Sequence, residues 1–476
     1  APGGLRRVLG SDRDVVVLDL TGGVDADRVG MAHGLVRAGG VLVLRVDPEA
    51  RGSRGLGLHP YDPNDVTDRL RDRLLERLPP GPPRLPVPCA PPTGTPEQAA
   101  VVDVLRARLS ATEPTATVVL APRGRGKSAA LGLALAGLDA RVALTSTDPD
   151  GLASVHRFCD AAPVDLEDVP PDAEVIVVDE AARVPLPALQ RLVADHPCAR
   201  LAFATTTDGY EGTGRGFVLR FLRWLEGERP TEVLRMSTPV RWAPDDPLER
   251  AVHDLFLLDL PLGPLPPGPL AHARLDRAAL AADEPLLREV FALLVHAHYR
   301  TTPSDLHRIL DAPNLDVHAL FVGDRVGAVN LVAREGTLPA ALSADLAAGR
   351  QRIRGHALAD TLVCHAGRPD AGGLRMVRSV RLATHPDVRR RGLASRLVSA
   401  VHEAYDVDLF GTLFSADPDV VRFRRQHGYE VVRVGSSASA RSGQPAVVMV
   451  RPVTPVARAL LADLRAELAL DWPTQR

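Results

Sequence analysis

Ala116-Thr117-Val118-Val119-Leu120-Ala121-Pro122-Arg123-Gly124-Arg125-Gly126-Lys127-Ser128, continued by the apolar run 129–138, decides the fold. Six small or apolar residues read as a buried strand, the glycine-rich stretch as a tight turn, and the run after it as a helix. A strand, a glycine turn and a helix N-terminus together aim backbone N–H groups at an anion. Lys127 is the only lysine among the 57 lysines and arginines of the chain. Arginine is a planar fork and lysine a compact point charge, so the retained lysine marks the place where a P-loop needs that point charge on the β/γ-phosphates. Ser128 offers its hydroxyl to Mg²⁺. Arg123, Gly124, Arg125, Gly126, Lys127 and Ser128 are therefore the expected binding residues for a nucleoside triphosphate, ATP or GTP. Ala121 stands where the general pattern has its first glycine.

A second run, Val175-Ile176-Val177-Val178-Asp179-Glu180, delivers two carboxylates to a strand end. Asp179 is the expected Mg²⁺ partner of Ser128, and Glu180 the residue that orients or deprotonates the attacking water. Hydrolysis then needs positive charge on the transferring phosphoryl group. Arg215, in Gly212-Thr213-Gly214-Arg215-Gly216, and Arg241, in Pro239-Val240-Arg241-Trp242, are candidates, although an isolated arginine also reads as a surface residue. Gln98, just past a proline-rich stretch, is a candidate reader of the base edge.

Apolar strands at 116–121, 142–145, 175–179 and 201–205 alternate with helical patterns, the signature of a parallel α/β sheet with crossover helices. Two proline-rich breaks bound this part, at 79–96 and 261–270, because proline fixes φ and lacks the donor that a helix or sheet needs. Ahead of the first break, strands at 14–20 and 41–46 around a helix at 27–37, with a helical 66–78, make a small α/β unit. Beyond the second the pattern turns α+β: helix 285–298, a hairpin around Gly323-Asp324-Arg325, strand 376–383, helix 393–405, strand 409–415 and helix 420–427. A helical tail follows at 456–468. The expected organisation is a unit at 1–78, a linker at 79–96, an NTPase domain at 97–260, a linker at 261–270, an α+β domain at 271–452 and a tail at 453–476.

Composition narrows the class without choosing it. With 45% hydrophobic and 24% charged residues, 476 residues suit a chain of roughly three domains. No apolar run is long enough to span a bilayer and no basic-then-apolar leader is read at the start. Four cysteines without a CxxC pair argue against structural zinc and a disulfide framework, so a cytoplasmic setting is expected. A net charge of −2 leaves nucleic-acid binding to local patches. Arg378, Arg381, Arg396, Arg422, Arg424 and Arg425 form one such group, either a phosphate-binding face or a solvated one.

A second anion signal is Arg389-Arg390-Arg391-Gly392-Leu393-Ala394-Ser395, a basic turn leading from strand 376–383 into a helix. Its R-x-x-G-x-A spacing resembles the coenzyme A loop of the GNAT acetyltransferase superfamily, and the strand–helix 409–428 followed by Tyr429 resembles that fold's closing half. The resemblance implies that Arg389 to Ser395 hold acetyl-CoA. It also implies that free N–H groups at Leu382, Ala383 and Thr384 polarise the acetyl carbonyl. One departure is plain: many such enzymes have a tyrosine a turn before the glycine to protonate the leaving thiolate, where this chain has Phe423, Arg424 and Arg425.

The pairing of the two signals, with Val178-Asp179-Glu180-Ala181-Ala182-Arg183-Val184-Pro185, the Thr205–Phe217 string TTTDGYEGTGRGF, PVRWAPDDPLE at 239–249 and AHYRTTPSDLHRILDAPN at 297–314, resembles the tRNA(Met) cytidine acetyltransferase family over most of 93–435. The resemblance implies ATP-driven acetylation of the N4 amine of a tRNA wobble cytidine by acetyl-CoA, with the anticodon region as partner and neither DNA nor a membrane. It implies that Gln98 and Arg241 contact the nucleotide. Against the family pattern the N-terminal segment reads as shortened and the tail after Pro452 as mostly absent. His298 and His385 are the candidate bases for the amine proton, since histidine titrates near neutrality; each also reads as a structural histidine. Two other functions stay open at this point: an RNA-stimulated NTPase whose GNAT domain only binds, and a nucleotide-regulated acetyltransferase for proteins or small molecules.

Overall fold

The computed structural model describes residues 12–49, 56–78, 80–82, 85–87, 94–147, 152–206, 217–258, 260–297, 301–438 and 443–471. The N-terminal unit is two parallel strands, β1 (Arg13–Asp19) and β2 (Val36–Arg45), joined by the helix Ala26–His33. Asp25 caps that helix by accepting from the Arg28 N–H. The helix ends at His33, four residues short of the expected 37, and β2 begins at Val36 rather than 41, running through Gly39 and Gly40.

The NTPase core is a five-stranded parallel sheet of β3 (Ala116–Ala121), β4 (Val142–Ser146), β5 (Val175–Asp179), β6 (Arg200–Thr206) and β7 (Thr231–Arg235), in the order β4-β5-β6-β3-β7. β3 and β5 are buried along their whole length, which is why they read as continuous apolar runs. β7 was not foreseen; it is a polar edge strand, Thr231-Glu232-Val233-Leu234-Arg235, without an apolar run. This order brings the carboxyl ends of β5, β6 and β3 side by side, at Asp179, Thr206 and Ala121.

The C-terminal part is a seven-stranded sheet of β8 (Leu270–Leu275), β9 (Leu315–Val322), β10 (Arg325–Gly336), β11 (Arg375–Thr384), β12 (Leu409–Ser415), β13 (Glu430–Ala438) and β14 (Pro445–Pro452), ordered β13-β14-β12-β11-β10-β9-β8. All neighbours are antiparallel except β11 and β12, so the sheet has a single parallel seam. The expected α/β sheet, α+β domain and small leading α/β unit are thus all present.

The hydrophobic cores do not follow the proline breaks. One continuous core takes Val16, Leu18, Val29, Leu70 and Leu74 from the N-terminal unit, Leu255 and Phe256 from the helix Pro247–Phe256, and Phe291, Leu306 and Val329 from the C-terminal part. The second break is packed rather than loose. The Leu265 N–H donates to Asp387 at 3.1 Å and the Gly263 carbonyl accepts from His385 at 3.0 Å.

Candidate functional sites

The first site is built where β3 turns into the helix Lys127–Leu135. Gly126, left-handed at φ 80°, opens the helix, and a Cβ there would stand 2.4 Å from Gln98 Nε2. The Lys127 ammonium donates to Thr206 Oγ1 at 3.0 Å, and that hydroxyl donates on to Glu180 at 3.3 Å. Asp179 is 2% exposed beside them. Burial, then the Glu180 charge, raises its pKa to about 6, while the Ser128 hydroxyl and Lys127 pull it down. The buried carboxylate and the serine hydroxyl are oxygen donors of the kind that suit Mg²⁺, with the lysine ammonium beside them for an anion. The cavity in front has a volume of ≈ 480 Å³ and is lined by Gln98, Arg123, Lys127, Ser128, Asp179, Glu180 and Arg241 among others.

Three expected roles change with the geometry. Arg125 does not face the cavity: it is 8% exposed, donates to the carbonyls of Ser237 at 3.1 Å and Arg123 at 2.8 Å, and pairs with Glu249. Its side chain fastens the loop to the helix Pro247–Phe256. Gln98 lines the cavity, but its amide donates to the Gly126 carbonyl at 3.0 Å, so it braces the phosphate turn. Arg241 lines the cavity too, yet its guanidinium binds the Gly34 carbonyl at 2.7 Å and Asp12 at 3.1 Å, both in the N-terminal unit. Next to it Trp242 donates to the Val36 carbonyl at 2.8 Å and stacks on His33 with ring centres 4.7 Å apart. Arg215 lies outside the described residues. Thr206, which joins Lys127 to Glu180, lies in the Thr205–Phe217 string but was given no role there, because its contacts depend on how β6 sits beside β3 and β5.

The second site opens along the parallel seam. β11 and β12 pair only from Met376–Leu409 to Ser379–Thr412, although the strands run on to Thr384 and Ser415. They splay beyond that point. Opposite β10 the register steps from Arg381 to Ser379, leaving Val380 as a bulge that re-aims the strand. The His385 N–H bonds the Gly327 carbonyl of the β9–β10 hairpin at 2.9 Å. Alternation along the strand then turns the Leu382 and Thr384 N–H groups into the splay. The basic turn follows, with exposed Arg389, Arg390 and Arg391, and Gly392 left-handed at φ 81° opening the helix Leu393–Glu403.

The splay is a cleft of ≈ 870 Å³, within the range of sites that take extended ligands. Leu382, Thr384, Arg389 and Ala394 are among the residues that line it. Ala383 turns its side chain into the core, Leu393 packs with Leu320 and Leu397 under the turn, and the Ser395 hydroxyl meets His427 Nε2 at 3.1 Å. Other walls come from elsewhere in the chain: Asp27 from the N-terminal helix and Arg220 from the NTPase part, facing Thr302 and Arg308. Asp27 also accepts from the Ser304 N–H at 3.0 Å.

His385 is not placed as a base. It is 5% exposed, Nε2 meets the Gly263 carbonyl at 3.0 Å, and Nδ1 accepts from the Asp387 N–H at 3.3 Å. With both nitrogens engaged it ties the end of β11 to the second proline-rich stretch. His298 lies outside the described residues. The arginine group is not one face either. Arg378 pairs with buried Glu335 and Arg381 with Asp305 at 2.8 Å, while Arg424 is buried; Arg396, Arg422 and Arg425 are exposed, Arg422 in a pair with Asp419 at 2.8 Å.

Comparison with known proteins follows the same division. The model of the RNA cytidine acetyltransferase NAT10/TcmA helicase domain matches 118–166 and 161–259, that of the tRNA(Met) cytidine acetyltransferase TmcA N-terminal region matches 1–80, and GNAT acetyltransferase 2 matches 289–412. The tRNA(Met) cytidine acetyltransferase TmcA of Nitrosococcus halophilus is 33% identical over 98% of this chain and 72% of its own length. Those of Haloarcula marismortui and Haloferax volcanii are 36% and 34% identical, over 96% and 98% of this chain and 69% and 71% of theirs. These relatives are about a third identical over nearly the whole of this chain and about 70% of their own length, and the chain belongs to the tRNA(Met) cytidine acetyltransferase family.

Proposed function

We propose that this protein acetylates the N4 amine of a tRNA cytidine, taking the acetyl group from acetyl-CoA and using ATP or GTP hydrolysis to present the base. The observation that carries the reading is the splay of β11 from β12. It leaves the Leu382 and Thr384 N–H groups without strand partners in a cleft whose walls come from the N-terminal, NTPase and GNAT parts together.

A cytosine amino group is delocalised into its ring and is a poor nucleophile, so placement and polarisation must do most of the work. The turn from Arg389 to Gly392 would receive the coenzyme A pyrophosphate, with the helix Leu393–Glu403 behind it. An amide-bearing arm can lie along the open edge of β11 like an added strand. The acetyl thioester carbonyl oxygen at the end of the arm would then meet the Leu382 and Thr384 N–H groups, which hold the negative charge that grows there as the amine adds. His298, four residues before cleft-lining Thr302, is our candidate for taking the amine proton.

At the nucleotide site Ser128 and Asp179 would hold Mg²⁺, which supplies charge neutralisation on the phosphates. Lys127 binds the β/γ-phosphates and Glu180, oriented by Thr206, positions the water. Presenting the base means unstacking it, since RNA is read specifically through splayed bases. We assign that task to the NTPase, and the wobble position of the anticodon loop as the target. No helix among the described residues is long and apolar enough to cross a membrane.

The test is direct. Protein, acetyl-CoA, ATP and unmodified tRNA are incubated, the RNA is digested, and N4-acetylcytidine is sought by mass spectrometry. It should form with the wild type and be lost with Lys127→Ala and Gly392→Glu. Lys127-dependent hydrolysis without acetylcytidine would overturn the reading and leave a nucleotide-driven RNA-binding protein.

A further inference from the structure

At the inner end of the splay sits a buried cation with no carboxylate partner among the described residues. Arg424, in the helix Pro418–Gln426, lines the acetyl cleft and is 5% exposed. Its Nη2 donates to Ser379 Oγ at 2.9 Å, and Ser379 donates to Asn330 Oδ1 at 2.9 Å. Nε and Nη1 are buried and have no hydrogen-bond partner. Among the described residues no carboxylate pairs with this guanidinium. Its near neighbours are the rings of Tyr429 and Phe423, centred 5.4 and 5.7 Å away. The Tyr429 hydroxyl meets His402 Nε2 at 3.0 Å and also interacts with the guanidinium, but burial keeps the phenol in its neutral form, so it supplies no counter-charge. A buried guanidinium lacking both a counter-charge and two hydrogen-bond acceptors is a costly arrangement unless a ligand completes it.

The position says which part of a ligand. Ser379 is the last residue of β11 paired with β12, the Leu382 and Thr384 amides come next, and the basic turn at 389–392 lies beyond the strand's far end. A donor whose phosphates sit on that turn reaches inward, so its thioester is the part that approaches Arg424. We propose that Arg424 is the counter-charge for the departing sulfur of coenzyme A. The proposal rests on the acetyl-donor reading of this cleft. As the C–N bond forms, the carbonyl electron pair moves onto oxygen at the β11 amides. When it returns, the C–S bond breaks and its electron pair leaves on sulfur. Arg424 keeps its proton throughout and pairs with the thiolate, which is protonated by water after release; the amine proton goes to the base. Charge pairing in a dry site thus takes the place of proton donation to the leaving group.

Coenzyme A itself is the probe, bound to the full chain and titrated by the ultraviolet absorbance of its thiolate. The bound thiol should titrate at least one unit below free coenzyme A, equivalent to about tenfold tighter binding of coenzyme A than of desulfo-coenzyme A above the thiol pKa. Arg424→Gln should erase both differences, and Arg424→Lys should keep part of each. Desulfo-coenzyme A retains every phosphate, so equal weakening of both ligands by Arg424→Gln would show a phosphate contact and overturn the proposal. A bound wild-type thiol that titrates like the free one overturns it as well, even if Arg424→Gln does not fold. If neither ligand binds at all, the acetyl-donor reading falls and takes the proposal with it.

Discussion

Asp179 is held in a state that its surroundings oppose. Its carboxyl is buried, faces the Glu180 charge, and has a pKa raised to about 6 from an ordinary 3.8. A raised folded-state pKa favours the fold at low pH, and that advantage is lost as pH rises through about 6. Asp179→Asn should therefore raise the melting temperature of the nucleotide-free protein at pH 7.5, by up to about 3 kcal/mol in stability, and should give no gain below pH 4. Calorimetry decides it; an unchanged or lower melting temperature at pH 7.5 would contradict the assignment. Mg²⁺–nucleotide binding by the wild type should weaken as pH falls through about 6, because the ionised carboxyl is the form that attracts the cation. At this scale the sequence was informative wherever chemistry is written consecutively: Lys127 and Ser128 in one turn, Asp179 and Glu180 at one strand end. It flagged the string that contains Thr206 but gave that residue no role, since its contact depends on β6 lying between β3 and β5. It misread Arg125 because a loop arginine looks the same whether it faces phosphate or a buried Glu249.

The two turns proposed to hold phosphates use one device, a left-handed glycine at the start of a helix, but in different surroundings. Gly392 has nothing within 4 Å of a built Cβ, whereas Gly126 faces Gln98 Nε2 at 2.4 Å. Gly392→Ala should cost backbone strain alone, about 1 kcal/mol in a urea titration, and leave acetyl-CoA binding within a few-fold. Gly126→Ala should cost more and weaken nucleotide binding at least tenfold, since Gln98 must leave the turn that it braces. Equal costs for the two substitutions would refute this account. Elements with an apolar period were legible almost to the residue; β3, β5 and β12 have the expected bounds. β7 and β8 were not, because edge strands carry polar residues on their open side. β13 and β14 were hidden by the serine- and glycine-rich stretch between them.

The N-terminal unit holds the two sites in one body. The helix Ala26–His33 presents Asp27 to the acetyl cleft at one end and His33 to Trp242 beside the phosphate turn at the other. Its seat on the C-terminal part centres on Asp311, 1% exposed, which accepts from Thr67 Oγ1 at 2.6 Å and from the N–H groups of Arg69 and Leu70 at 2.8 and 3.0 Å. Asp311→Ala should cost about 2–4 kcal/mol and make the proline-rich stretch at 79–96 the first site of proteolytic cleavage. Retention of wild-type protease resistance would show that the seat does not depend on this carboxylate. The proline breaks suggested separable parts; nothing local in the sequence announces that Leu70 packs in the same core as Phe291 and Val329. That shared core also sets a timetable for synthesis. The apolar face of residues 16–74 has no complete cover until the chain has been made as far as Ala383, about 300 residues later, which at ribosomal speed is roughly 15–60 s. For that interval the leading segment is a two-stranded sheet with an open side, and it is the part of the newborn protein with most to gain from a chaperone.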